Sequence, residues 1–208
     1  LIAVAVIYGS RRWESETTGM HARLEAARLP IGTKSYSTHE LIGLPVPVQK
    51  YFRAVLKDRQ PIVSTVHLEL SGTINMSATG EKWKRFTSKQ RVIAQRPGFD
   101  WEGRIQMMPG LTVRVHDAYI AGEGILHASL FGLVSLASLR GTPEIAQGEL
   151  MRFFAEAAWY PTALLPSQGV QWKAIDNSSA QATLKDGETA LTLLFRFDEN
   201  GLIESVRA

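Results

Sequence analysis

The segment from Gly141 to Pro166, GTPEIAQGELMRFFAEAAWYPTALLP, constrains the fold more than any other part of the chain. It opens with Thr142, a good N-cap, and with Pro143 at the first helical position, where a missing N–H does no harm. Apolar residues then recur with the helical period. Pro161 disfavours helical geometry at the residue before it, so the helix is predicted to end near Trp159. The pattern predicts one amphipathic helix that covers a sheet and ends in an aromatic corner broken by proline.

Segments of alternating apolar and polar residues lie on both sides of this helix. The clearest span residues 65–70, 99–107, 111–121 and 189–197, and such alternation is typical of half-buried strands. Short turns, with Asp186–Gly187 as the strongest hairpin signal, imply that consecutive strands are antiparallel neighbours. We predict an α+β fold: a strongly curved, mostly antiparallel, half-barrel-like sheet of roughly eight to ten strands. The helix over 142–159 packs on its concave face, and N-terminal helices, one of them over 48–57, cap one end.

The first eight residues, LIAVAVIY, are apolar and are followed closely by Arg11 and Arg12. Eight residues are too few to cross a bilayer, which takes about 20. We interpret residues 1–13 as the remnant of a membrane anchor, with the two arginines and Trp13 at the interface. The alternative is a buried strand or helix of the domain. Residues 14–43 are interpreted as a helical or loop tether and residues 44–208 as a single curved-sheet domain. The protein is thus expected to be membrane-associated through one N-terminal anchor, with the side of the membrane left open.

Composition excludes several classes of function. The chain has no cysteine, which rules out disulfides and thiol nucleophiles. The net charge of +3 comes from mostly scattered basic residues, so no nucleic-acid partner is expected. Glycine-rich phosphate loops and nucleophile elbows are absent from the sequence, and the five histidines form none of the usual metal-binding spacings. We therefore predict no cofactor and no metal, and the oligomeric state stays open.

Two charged sets carry possible chemistry. Glu149, Arg152 and Glu156 lie on one face of the predicted helix, where they would form either an exposed ladder of ion pairs or an acid–base group in a cleft. Asp100, Glu102 and Arg104 share one face of a predicted strand. They would mark the wall of a polar pocket if that face points inward, and they would be solvated if it points outward. Gly148, inside the predicted helix, costs about 1 kcal/mol relative to alanine, which a close backbone approach would explain.

The aromatic residues near the sheet and its helix are the other candidate site. They either fill the core or line a concave apolar space between sheet and helix, which is where a ligand would bind. With the helical charged set, the predicted ligand-binding residues are Trp101, Tyr119, Phe154, Trp159, Tyr160, Trp172, Glu149, Arg152 and Glu156.

Three segments resemble an uncharacterised bacterial family: LPVPVQKYFR at 44–53, RPGFDW at 96–101 and GELMRFFAEAAWYPTALLP at 148–166. Its members join an N-terminal hydrophobic segment to a domain of unknown function, and the resemblance covers most of residues 44–208. Ala158 departs from a proline that is common in the family. The resemblance implies no activity, but it implies that the domain is truncated at its C-terminus. At the level of the fold alone, the predicted sheet is similar to the half-barrel of Lol-type lipoprotein carriers, which bind acyl chains.

These observations favour a membrane-tethered binding module for a lipid or another apolar small molecule. One alternative is a hydrolase or isomerase that uses Glu149, Arg152 and Glu156 in the same cleft. Another is a structural or interaction domain with a filled core. Whether the protein is an enzyme is left open.

Overall fold

The structure is a computed structural model that describes residues 2–30 and 32–208. Leu1, in the predicted anchor, and Ile31, in the predicted tether, lie outside the described residues. The fold mixes helices with antiparallel sheets. The helices are α1 (Ile2–Ala26), α2 (Val46–Val55) and α3 (Pro143–Glu156). The strands are β1 (Thr65–Asn75), β2 (Trp83–Ile93), β3 (Gly98–Met108), β4 (Leu111–Ile120), β5 (Glu123–Leu130), β6 (Val134–Arg140), β7 (Gln171–Ala174), β8 (Ser179–Asp186), β9 (Thr189–Phe197) and β10 (Ile203–Arg207).

The ten strands form two sheets, where the sequence pattern predicts one. The chain divides into two compact units, and each unit holds one of the sheets. Unit 1 comprises residues 1–28, 65–93 and 97–149, and unit 2 comprises residues 29–64, 94–96 and 150–208.

The sheet of unit 1 is an open meander in which β1 to β6 follow one another in chain order. Each neighbouring pair is antiparallel. Directly opposite residues share a face of the sheet, because side chains alternate along each strand. Since Glu102 lies opposite both Lys89 and His116, one face carries a dense set of polar and charged side chains. We call this side the charged face.

Helix α1 packs on the charged face of unit 1. At its C-terminal half, Met20 and Leu24 join a buried apolar cluster that includes Ile93 of β2 and Ile120 of β4. Trp13, which the sequence places at a membrane interface, is instead 1% exposed and packed within the unit. In the part of the chain that the structure describes, no helix has both the length and the apolar character needed to span a bilayer.

The bounds of helix α3 agree closely with those predicted from the sequence. Its first turn is capped by Thr142, whose Oγ1 accepts a hydrogen bond from the Ile145 amide at 3.4 Å. A short 3-10 turn over Ala157–Trp159 ends the helical segment just before Pro161. The boundary between the units falls inside α3, after Glu149.

Unit 2 is built around aromatic side chains. Helix α2 buries Tyr51 and Phe52, and Tyr51 packs against Phe197 of β9. Trp172 of β7 lies edge-on to Phe195, with ring centroids 5.1 Å apart. The sheet runs in the order β10, β9, β8, β7, and the Asp186–Gly187 turn joins β8 to β9 as predicted.

Candidate functional site

The charged face of unit 1 holds the largest group of interacting polar side chains that we find among the described residues. Its centre is Asp100 of β3, whose side chain is fully buried. Oδ1 of Asp100 lies 2.8 Å from Nδ1 of His116 on β4. Oδ2 lies 3.1 Å from Nε2 of His21 on α1, within ion-pair distance. The carboxylate therefore joins helix α1 to two strands of the sheet.

A hydroxyl completes a chain of three polar groups. Oγ1 of Thr17 lies 3.0 Å from Nε2 of His116 and 3.0 Å from the Trp13 carbonyl oxygen. With Asp100 ionised, Nδ1 of His116 carries a proton, and this N–H donates a hydrogen bond to the carboxylate. Nε2 then either accepts from the Thr17 hydroxyl or, in a protonated ring, donates to it while the hydroxyl donates to Trp13. In both patterns the hydroxyl, the imidazole and the carboxylate are joined by hydrogen bonds.

This hydroxyl–imidazole–carboxylate order matches the order of groups that activates a nucleophile. A substrate, however, has to reach the hydroxyl and the imidazole. His116 is 0% exposed, and the indole of Trp13 stacks on its ring with centroids 4.4 Å apart. The Trp13 Nε1 atom also donates to Oε1 of Glu102 at 3.0 Å. The arrangement is therefore suited to holding α1 on the sheet, and we assign it no reaction.

Further ion pairs run along the same helix. Glu16 accepts from Nδ1 of His127 at 2.7 Å, and Glu25 pairs with Arg91 of β2. Arg23 pairs with Glu123 of β5. Helix α1 is thus attached to the sheet by charged contacts along most of its described length.

The electrostatics of the Asp100 and Glu123 carboxylates favour their ionised forms. Burial by itself raises the pKa of Asp100, but the hydrogen bonds and charges of His116 and His21 outweigh burial and hold that pKa below its usual value. Hydrogen bonds from Arg140 and Arg23 likewise lower the pKa of Glu123. Attachment of α1 therefore depends on carboxylates that stay charged.

Beyond α1, strands β1 to β4 line a groove. Two adjoining cavities of about 510 and 610 Å³ share Ser71, Thr87 and Arg104. The first also contacts Lys89 and Glu102. We call this pair of cavities the sheet groove. Its remaining lining residues are Glu69, Leu70, Ser88, Gly72, Thr73, Arg85, Phe86, Gln106 and Thr112.

The nine residues predicted from the sequence are divided between the two units. Trp101, Tyr119 and Glu149 belong to unit 1, where both aromatic side chains are buried. The remaining six lie in unit 2: Phe154, Trp159, Tyr160, Trp172, Arg152 and Glu156.

Most of the predicted aromatic residues of unit 2 pack against other protein groups. Phe154 contacts Phe195, and the Tyr160 hydroxyl donates to the Phe153 carbonyl at 3.1 Å. Trp159 is an exception, since it is 56% exposed. Arg152 donates to Glu156 at 2.8 Å, the i,i+4 pair for which their spacing is suited. None of the nine residues lines the sheet groove, and an apolar ligand beside them stays a prediction.

Sequence analysis identified one strand of the charged face and missed the rest. Asp100, Glu102 and Arg104 do share a face, and Asp100 is buried as expected for an inward-pointing wall. Thr17 and His116 carried no local signal, because they meet only through packing of the helix on the sheet. Among the described residues, no group of three or more His, Asp or Glu side chains is placed to hold a metal ion.

Comparison with known proteins places the sheets within one family. A family model described as a family of unknown function, DUF6920, matches residues 42–208. Searches of curated proteins and of solved structures gave no match. The strands of the charged face lie inside the matched range, whereas α1 lies outside it.

Proposed function

We propose that this chain, which belongs to the DUF6920 family of unknown function, is a binding module that holds a small polar molecule in the sheet groove. The observation that carries the proposal is the junction of two cavities of about 510 and 610 Å³ through Ser71, Thr87 and Arg104. Small-molecule sites in proteins are typically of this size. We propose in addition that the sheet of unit 1 curves around the ligand and that α1 lies at one side of it.

The side chains of the lining offer partners for a ligand with polar groups, whereas the sequence suggests a lipid. Among the described residues that line the two cavities, only Leu70 and Phe86 are large and apolar. The others offer hydroxyl, amide, carboxylate and cationic groups. A ligand with polar groups would form hydrogen bonds and ion pairs with them.

Native mass spectrometry of the full chain purified from cells, followed by a thermal-shift screen of polar metabolites, tests the proposal. We expect a bound small molecule or a stabilising hit that is lost in Thr87→Trp, because the indole would fill the junction of the two cavities. Thr192→Trp, on the exposed face of β9, is the matched control and should behave as wild type. A hit that survives Thr87→Trp would contradict binding in the sheet groove.

We further propose that the module works at a membrane surface, as the apolar start of the chain predicts. Val4, Ile7 and Tyr8 are 69%, 56% and 63% exposed at the N-terminal end of α1. Arg11 and Arg12 follow them and are also exposed. Apolar side chains next to cations suit a surface of anionic lipid.

Co-sedimentation with vesicles tests this location. Binding should be stronger to vesicles of mixed phosphatidylcholine and phosphatidylglycerol than to pure phosphatidylcholine, and Ile7→Asp should weaken it. Ile42→Asp is the matched control, since Ile42 is 77% exposed in unit 2. Equal loss in both variants would show that position 7 has no special part in membrane contact.

A further inference from the structure

Two arginines of unit 1 face each other across a strand pair. Arg104 of β3 lies directly opposite Arg114 of β4. Directly opposite side chains in an antiparallel pair have Cβ atoms about 4.5–5.5 Å apart, and like charges placed there destabilise the sheet. The pair therefore costs folding free energy, which a bound anion would recover.

Arg114 is incompletely satisfied by the protein. Its Nη2 donates to Oγ of Ser10 at 2.9 Å, while Nη1 is buried and has no hydrogen-bond acceptor among the described residues. Burial and, next, the charge of Arg104 lower the pKa of Arg114, although the side chain stays cationic. A guanidinium nitrogen without an acceptor keeps a hydrogen bond that an oxyanion could accept.

Arg104 is only loosely compensated. Its Nη2 lies 3.6 Å from Oε1 of Glu102, beyond ordinary hydrogen-bond length. That oxygen already accepts from Nε1 of Trp13 at 3.0 Å. The carboxylates of Glu102 and Glu14 offset part of the positive charge of the two arginines.

A small cavity joins the two arginines. It measures about 220 Å³ and is lined by Arg104, Arg114, Ser10, Thr112, Val6 and Phe131. Arg104 and Thr112 also line the sheet groove, so the two spaces adjoin. The cavity thus lies where one end of a ligand in the sheet groove would reach.

We infer that the ligand carries a phosphate group and that this group binds between Arg104 and Arg114. The Ser10 and Thr112 hydroxyls supply further donors. Two guanidinium groups match the double charge of a phosphate monoester, whereas a carboxylate would neutralise only one of them. The inference rests on the proposed function for the rest of the ligand, but the phosphate subsite is testable alone.

Calorimetric titration of the full chain with inorganic phosphate, at low salt, tests the subsite. We expect binding in the millimolar range that weakens at least tenfold in Arg114→Gln and in Arg104→Gln. Arg196→Gln is the matched control, because Arg196 is exposed on β9 and lines neither the sheet groove nor the small cavity, and the phosphate affinity of this variant should stay within twofold. Circular dichroism checks that each variant is folded. Each of the two substitutions removes one of two like charges that lie directly opposite each other. We therefore expect both variants to keep the fold.

Three results would overturn the inference: no phosphate binding by the wild type, equal loss in Arg196→Gln, or acetate binding as tightly as phosphate. The groove-filling Thr87→Trp variant separates this inference from the proposed function. Phosphate binding retained in that variant, with loss of a larger ligand, supports both. If a larger ligand binds in the groove but the protein has no affinity for phosphate, only the phosphate subsite is contradicted. If the protein binds phosphate but no ligand of the groove is found, only the proposed function is contradicted.

Discussion

Trp13 of α1 stacks on His116 of β4, with ring centroids 4.4 Å apart and 14° between the ring planes. The same indole donates to Glu102, so one side chain joins the helix to β3 and β4. This contact places an aromatic ring over a buried imidazole and keeps water from the Asp100–His116 pair.

Replacement of Trp13 by alanine should lower the free energy of unfolding by about 3–5 kcal/mol, the usual range for a buried tryptophan. Trp159→Ala is the control, since its side chain is 56% exposed and such surface changes usually stay within about 0.5 kcal/mol. Urea unfolding followed by far-ultraviolet circular dichroism measures both. Similar losses in the two variants would show that Trp13 does not hold the helix.

The stability of unit 1 should fall in acid through Asp100. Because the folded pKa of this carboxyl lies below its value in the unfolded chain, its ionised form stabilises the fold fully above about pH 4 and loses that effect as the pH falls through the folded pKa. Asp100→Asn should therefore be less stable than wild type at pH 7, by about 1–3 kcal/mol, and the difference should shrink below pH 4. Urea titrations at several pH values measure this difference. Glu204→Gln, at an exposed position of β10, should show neither effect.

Two glycines should respond to alanine in opposite directions. A Cβ on Gly148 would meet no atom within 4 Å, so the close backbone approach suggested by the sequence is not there, and Gly148→Ala should stabilise α3 by about 1 kcal/mol. A Cβ on Gly124 would lie 2.5 Å from the Ile145 carbonyl carbon, which cannot move alone. Gly124→Ala should therefore cost about 1–3 kcal/mol. Thermal unfolding that shifts both variants the same way would contradict this account.

Unit 2 offers a test of a buried hydroxyl. Tyr160 donates to the Phe153 carbonyl, and Tyr160→Phe should cost about 0.5–1.5 kcal/mol because that bond is lost. Tyr51 is equally buried, yet its hydroxyl has no partner among the described residues, so Tyr51→Phe should be neutral or slightly stabilising. The difference between the two variants in chemical unfolding is the measurement. A larger loss in Tyr51→Phe would be inconsistent with these hydrogen-bond assignments.

The sequence predicts helices and turns well where interactions between neighbouring residues determine them. The Thr142 cap and Pro161 bound α3 to within a few residues, and Asp186–Gly187 marks a real hairpin. The predictions fail where distant segments decide. Residues 130–139 are apolar nearly throughout and suggest a buried strand or a short helix, yet residues 134–140 form β6, an exposed edge strand.

The candidate site depends on one irregularity in the pairing of β3 with β4, which the sequence pattern does not predict. The turn pairs Met108 with Leu111, but a register shift follows, and Gln106 pairs with Thr112. Without that β-bulge, Glu102 would oppose Asp117, and His116 would lie on the other face of the sheet, because a slip of one residue reverses the side chains. The bulge thus brings His116 to Asp100, and Arg114 to Arg104.

Helix α1 lies before the region that the family model matches, yet it covers the charged face. A recombinant fragment that begins at residue 42 would therefore leave Asp100 and His116 open to water and would remove Ser10 from beside Arg114. Purified in that form, the protein would present a solvated strip of charge where the full chain has an interior, and its binding behaviour would describe a different molecule. Domain limits drawn from family similarity alone would therefore remove a helix that forms part of the core of unit 1.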